Sequence, residues 1–153
     1  ETETIPVSMG WHPYFTLQVP IDDLLLNLPV NEFLELGDRN IPSGSYLPFN
    51  QFKSLEEIGT TQLDHGFPVT SCTSDSDRAA TILSESDSGQ QLLIWQETGP
   101  TKYNYLQVYT PPDRNSIAIE PMSSAPDSFN NKIGLIELPG GQSTNLSWGI
   151  TTS

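Results

Sequence analysis

The chain has 153 residues, enough for one domain with a sizeable core. Its formal net charge of −13 argues against a nucleic-acid surface and against an anionic membrane, because both select cations. A hydrophobic content of 35% is too high for a disordered chain, and thirteen Pro with eleven Gly, scattered rather than clustered, suit short strands joined by turns.

Leu24-Leu25-Leu26-Asn27-Leu28 ends at Pro29 and reads as a strand; residues 33–36, closed by Gly37-Asp38, read as a second. Between residues 38 and 49, Pro42, Ser43, Gly44, Ser45 and Pro48 spell out turns. Residues 53–58 suit one short helical turn, with Ser54 as its cap and Glu56 and Glu57 near its start. Runs at 79–83 and 91–96 flank Ser86-Asp87-Ser88-Gly89 and read as a hairpin. Residues 105–109 alternate and stop at Pro111-Pro112. Strands at 116–120, 134–138 and 144–150 complete the set, the last two joined by a hairpin turn at Pro139-Gly140-Gly141-Gln142. No segment sustains a helical period over three turns. The expected fold class is therefore all-β, a mostly antiparallel β-sandwich, with residues 1–153 forming a single domain.

Cys72 is the lone cysteine, so the chain holds no internal disulfide framework. With no apolar run of spanning length and no signal peptide visible, the expected setting is reducing and cytoplasmic. The chain opens on Glu1 rather than Met, which reads as a processed or truncated polypeptide.

Four residues stand out for chemistry. In Ile117-Ala118-Ile119-Glu120-Pro121, alternation sends Ile117 and Ile119 to one face and Ala118 and Glu120 to the other. Pro121 is expected to end that strand. Glu120 then reads either as a catalytic carboxylate at a rigid strand end or as an acid where the strand meets solvent. His12, in Gly10-Trp11-His12-Pro13-Tyr14-Phe15, is either a proton donor and acceptor or a histidine packed under aromatics. Asp64, in Leu63-Asp64-His65-Gly66-Phe67, accepts hydroxyl hydrogen bonds or caps an Asx turn. Gln107 shares a strand face with Tyr105 and Tyr109, which is useful equipment for a sugar and equally ordinary on a solvated strand. With two His and one Cys in all, a catalytic zinc site is not expected, nor is any cofactor motif present.

Taken in order, these segments resemble the C-terminal part of the aldose 1-epimerase (galactose mutarotase-like) family. The matching pieces are Gly10-Trp11-His12-Pro13-Tyr14-Phe15, Leu63-Asp64-His65-Gly66-Phe67, Gln107-Val108-Tyr109-Thr110-Pro111, Ile119-Glu120-Pro121-Met122, Asp127 within residues 125–130, and Ser147-Trp148-Gly149-Ile150. The resemblance implies a β-supersandwich that interconverts α and β anomers of an aldohexose. It makes Glu120 the general base on the C1 hydroxyl and His12 the acid on the ring oxygen, with Asp64 and Gln107 holding sugar hydroxyls. Neither metal nor organic cofactor is implied. The family's enzymes are roughly twice this length, and an Arg and a second His that help bind the sugar belong to an N-terminal portion absent here. The partners implied are a small-molecule sugar and either a separate N-terminal half or a second copy of the chain.

Two other readings compete with the epimerase: a hexose-6-phosphate 1-epimerase, for which six Lys plus Arg offer no obvious phosphate clamp, and a carbohydrate-binding sandwich without turnover. A structural module that binds no sugar is the third.

Overall fold

The computed structural model describes residues 3–69 and 77–153; Cys72 lies outside them. Thirteen strands, two 3₁₀ turns and one four-residue helix, α1 (Ser128–Asn131), make up the described chain. All strand pairs are antiparallel. The chain is all-β, as its alternating apolar runs require.

Two sheets carry most of the structure. The larger joins β3 (Leu24–Asn27), β6 (Glu56–Glu57), β8 (Arg78–Glu85), β9 (Gln91–Glu97) and β13 (Trp148–Thr152) in the order β13-β9-β8-β3-β6. The smaller joins β2 (Tyr14–Phe15), β7 (Asp64–Pro68), β10 (Tyr105–Tyr109) and β11 (Ile117–Met122) in the order β2-β11-β10-β7. One core cluster takes Leu24, Leu26, Leu83 and Ile94 from the first sheet and Phe15, Phe67, Leu106, Val108, Ile117 and Ile119 from the second. That shared core is what packs the sheets face to face, and period-two alternation sends the remaining residues outward. Gln96, buried between the sheets, donates both amide hydrogens across the gap, to the carbonyls of Tyr103 and Tyr105, so its polar group is satisfied rather than stranded.

A hairpin of β4 (Glu32–Leu36) and β5 (Pro42–Pro48) covers one end of the smaller sheet. Leu34 packs there with Tyr105 and Ala125, and the hydroxyls of Tyr46 and Tyr105 hydrogen-bond at 3.1 Å. The outer strands β1 (Ile5–Val7) and β12 (Ile136–Leu138) pair with each other.

Four expectations change. Residues 42–48 form strand β5, whose two prolines sit at its ends, where a missing ladder donor costs least. Residues 53–58 do not turn helically: Glu56 and Glu57 extend and pair with Leu26 and Leu25, so a distant partner overrides local preference. The Pro139–Gln142 turn forms, closed by the Gln142 N–H on the Pro139 carbonyl, but it links β12 to β13 in different sheets and is no hairpin. Strand β11 also runs on through Pro121 to Met122. The Pro121 carbonyl accepts from the Trp11 N–H, so the missing proline donor faces residues 10–12 and leaves the ladder to β10 intact.

Candidate active site

The register of the smaller sheet brings three of the four chemistry-bearing residues, Glu120, Gln107 and Asp64, to its outer face. Gln107 stands directly opposite Glu120 on one side and Gly66 on the other; Tyr109 stands opposite Ala118 and Asp64. Directly opposed residues in an antiparallel pair share a face. Glu120, Gln107, Gly66, Asp64, Tyr109 and Ala118 therefore form one patch, while Ile117, Ile119, Leu106, Val108 and Phe67 turn into the core.

His12 reaches the same patch from the segment before β2. The Trp11 N–H donates to the Pro121 carbonyl at 3.1 Å and the Ile119 N–H to the Pro13 carbonyl at 3.3 Å. These two bonds bracket His12 and set it across from Glu120. Its Nε2 lies 3.1 Å from Glu120 Oε1, with the imidazole side chain 55% exposed and the carboxylate 9%. Tyr14, opposite Ala118, stacks on the imidazole with ring centroids 4.9 Å apart.

The second polar pair lies beside the first. Gln107 Nε2 donates to Asp64 Oδ1 at 3.0 Å, leaving Gln107 Oε1 and the other Asp64 oxygen as acceptors. The face thus offers a buried carboxylate, an imidazole and acceptors suited to hydroxyl donors. Burial pushes the Glu120 carboxyl above its ordinary value; His12 beside it pulls the other way, and the Asp64 charge adds to the rise. A carboxylate so placed gives up solvation when it ionises and is a stronger base for it.

His65 does not join this face. It points to the core side, edge-on to Phe33 at 4.8 Å and near Phe49 and Phe67. Its Nδ1 accepts the Asp64 N–H, which ties it to the Asp64 backbone. Asp64 and His65 cannot converge on one metal, because neighbouring strand residues point apart. Tyr14 and Gly66 are the members of the patch that sequence reasoning passed over. Both lie inside the motifs quoted for His12 and Asp64, and strand alternation applied to those motifs is the signal that finds them.

An antiparallel sandwich bearing a carboxylate–imidazole pair on an open sheet face defines a candidate acid/base site. The sequence pattern described as aldose 1-epimerase matches residues 1–151, and the chain belongs to that family. The uncharacterized protein YihR of Escherichia coli strain K12 is 28% identical over 156 residues, 97% of this chain and 47% of YihR. The fold is similar to a galactose mutarotase-like protein of Clostridium acetobutylicum, with a TM-score of 0.80 at 18% identity over 99% of this chain and 49% of that one. A GalM/aldose epimerase homologue from C. elegans gives a TM-score of 0.74 at 17% identity, over 98% of this chain and 52% of its own. The chain spans about half the length of the relatives it matches.

Proposed function

We propose that the chain carries the acid/base pair of an aldose 1-epimerase, interconverting the α and β anomers of an aldohexose. The observation that supports this most is the 3.1 Å contact between His12 and Glu120, on the face where Asp64 and Gln107 present hydroxyl acceptors. Ring opening requires a proton taken from the C1 hydroxyl and a proton given to the ring oxygen. Ionised Glu120 takes the first. The C1–ring oxygen bond breaks with its electron pair on the ring oxygen, which receives a proton from the imidazolium of His12, and C1 becomes a carbonyl. Rotation about C1–C2 presents the other carbonyl face. The transfers then run backward: His12 recovers its proton as the ring hydroxyl attacks C1, and Glu120 returns its own to the new C1 hydroxyl. Protons and electrons balance within the sugar and these two side chains.

Asp64 and Gln107 fix the sugar by accepting from its hydroxyls, in the roles that family membership suggests for them. Polarimetry of freshly dissolved α-D-glucose and α-D-galactose tests the reading. Faster relaxation in the presence of the protein, lost in Glu120→Gln, would support it. No acceleration by the chain alone, nor with the N-terminal half of a family member supplied in trans, would overturn it.

A further inference from the structure

We infer that Gly66 is a positioning residue, whose bare Cα lets the Gln107 carboxamide lie flat across β7 and reach Asp64; its consequence for sugar binding rests on the function proposed above. Gln107 sits directly opposite Gly66 in the register, and Asp64 is two residues along the same strand. A Cβ built on Gly66 would come 3.1 Å from Gln107 Oε1 and 4.0 Å from the ring of Pro126, with nothing else inside that distance. The amide oxygen therefore stands closer than a side chain here would allow and would have to give way by a few tenths of an ångström, and the amide nitrogen beyond it donates to Asp64 at 3.0 Å.

The strand itself does not need glycine here. Gly66 is not among the residues with positive φ, so alanine fits its backbone and is favoured over glycine within a strand. What alanine displaces is the far end of a flexible side chain. The cost falls on the Gln107–Asp64 pairing and not on the fold. Losing that pairing frees the Gln107 rotamer and leaves the two hydroxyl acceptors without a fixed spacing.

The experiment compares Gly66→Ala, Gln107→Ala and the double variant, with wild type, by polarimetry on α-D-glucose and α-D-galactose and by thermal unfolding. Gly66→Ala is expected to raise KM about tenfold, the scale of one charge-assisted hydrogen bond, with kcat within about twofold and the melting temperature unchanged or higher. In the Gln107→Ala background the same substitution is expected to do nothing further, because the group it displaces is gone. An unchanged KM, or an equal penalty in both backgrounds, overturns the inference. If wild type relaxes neither sugar, alone or with the N-terminal half of a family member in trans, the proposed function fails and the Gly66 assignment is decided without it. The Gln107 side-chain NH₂ resonances should then move alike in Gly66→Ala and Asp64→Asn, and resonances unmoved by Gly66→Ala overturn it.

Discussion

Gln107 and Glu120 stand directly opposite each other on adjacent strands, yet the Gln107 amide turns away from Glu120 and donates to Asp64. Among the described residues, His12 is the polar side chain that contacts the Glu120 carboxylate. An amide donor held against Glu120 would favour its ionised form and weaken it as a base. Under the proposed function, the diagonal bond to Asp64 would serve two ends: arranging acceptors for hydroxyls and leaving the carboxylate a stronger base.

Glu120→Gln should separate chemistry from folding. The amide matches the carboxylate in shape and can still accept from His12 Nε2, but it cannot take a proton. Anomerisation is expected to fall roughly 10²–10⁴-fold. Stability at neutral pH should hold or rise, because the substitution removes a charge whose burial is unfavourable. Polarimetry and urea unfolding on the same preparation check both halves. A variant that lost stability and rate together would speak against a burial cost at Glu120.

The same burial sets a pH dependence. On the proposed mechanism Glu120 acts in its ionised form, and burial raises its carboxyl above the ordinary glutamate value of 4.5. The rate should therefore rise with pH through a limb displaced upward from that value. Stability runs the opposite way. A group whose folded pKa is raised contributes most below the unfolded pKa, and the contribution is lost as pH rises through the folded one. Rate and stability measured from pH 4 upward should show the two slopes of opposite sign, and both should vanish in Glu120→Gln.

Much of this face was legible before the structure. Alternation in residues 105–109 and 116–120 placed Gln107 and Glu120 on strands and separated Ala118 and Glu120 from Ile117 and Ile119, as the core packing of both isoleucines and the pairing of Glu120 with Gln107 bear out. The Ser86–Gly89 hairpin was equally readable, because a turn between apolar runs is a local signal. What escaped was whatever depends on a distant partner. Strand β6 exists because β3 lies beside it, and β5 because β4 does. Pro121 reads as a strand end until its missing donor is seen to face Trp11 rather than β10. The contact of His12 with Glu120 joins residues far apart in the chain and follows from the backbone bonds of Trp11 and Pro13 to β11.

His65 gives a second pH signature, of the other sign. Burial among Phe33, Phe49 and Phe67 lowers its pKa below 6.5, although the Asp64 charge opposes this. A depressed folded pKa means the stabilising contribution is present above the unfolded value and lost as pH falls through the folded one. Urea midpoints should therefore drop on the acid side of about pH 6.5. His65→Phe keeps the aromatic packing without the titration and should flatten that drop.

Phe67 tests how strongly the core holds the site strand. It is fully buried, packs edge-on to Phe49 at 4.9 Å, and lies three residues beyond Asp64 on β7. Phe67→Ala is expected to cost about 3–5 kcal/mol of unfolding free energy, from lost burial and the cavity left behind. Phe67→Leu refills much of that volume and should cost far less. Equal losses in the two variants would mean that something other than the cavity governs the site.

Tyr14 is the residue on which the orientation of His12 should depend. It is 51% exposed and its backbone pairs with Ala118, so its ring contributes little to the core. The ring stacks on an imidazole that is itself 55% exposed, and apart from Glu120 it is the contact that limits how that imidazole turns. Tyr14→Ala should leave the unfolding free energy within about 0.5 kcal/mol of wild type, as for most surface substitutions. The rate should fall through kcat by roughly tenfold, below the ~10²-fold that a misplacement of about 1 Å can bring. Tyr14→Phe keeps the stacked ring without its hydroxyl and should retain nearly full rate. If Tyr14→Phe lost as much as Tyr14→Ala, the hydroxyl and not the stacked ring would be the working part, and Tyr14 would itself have to touch the sugar.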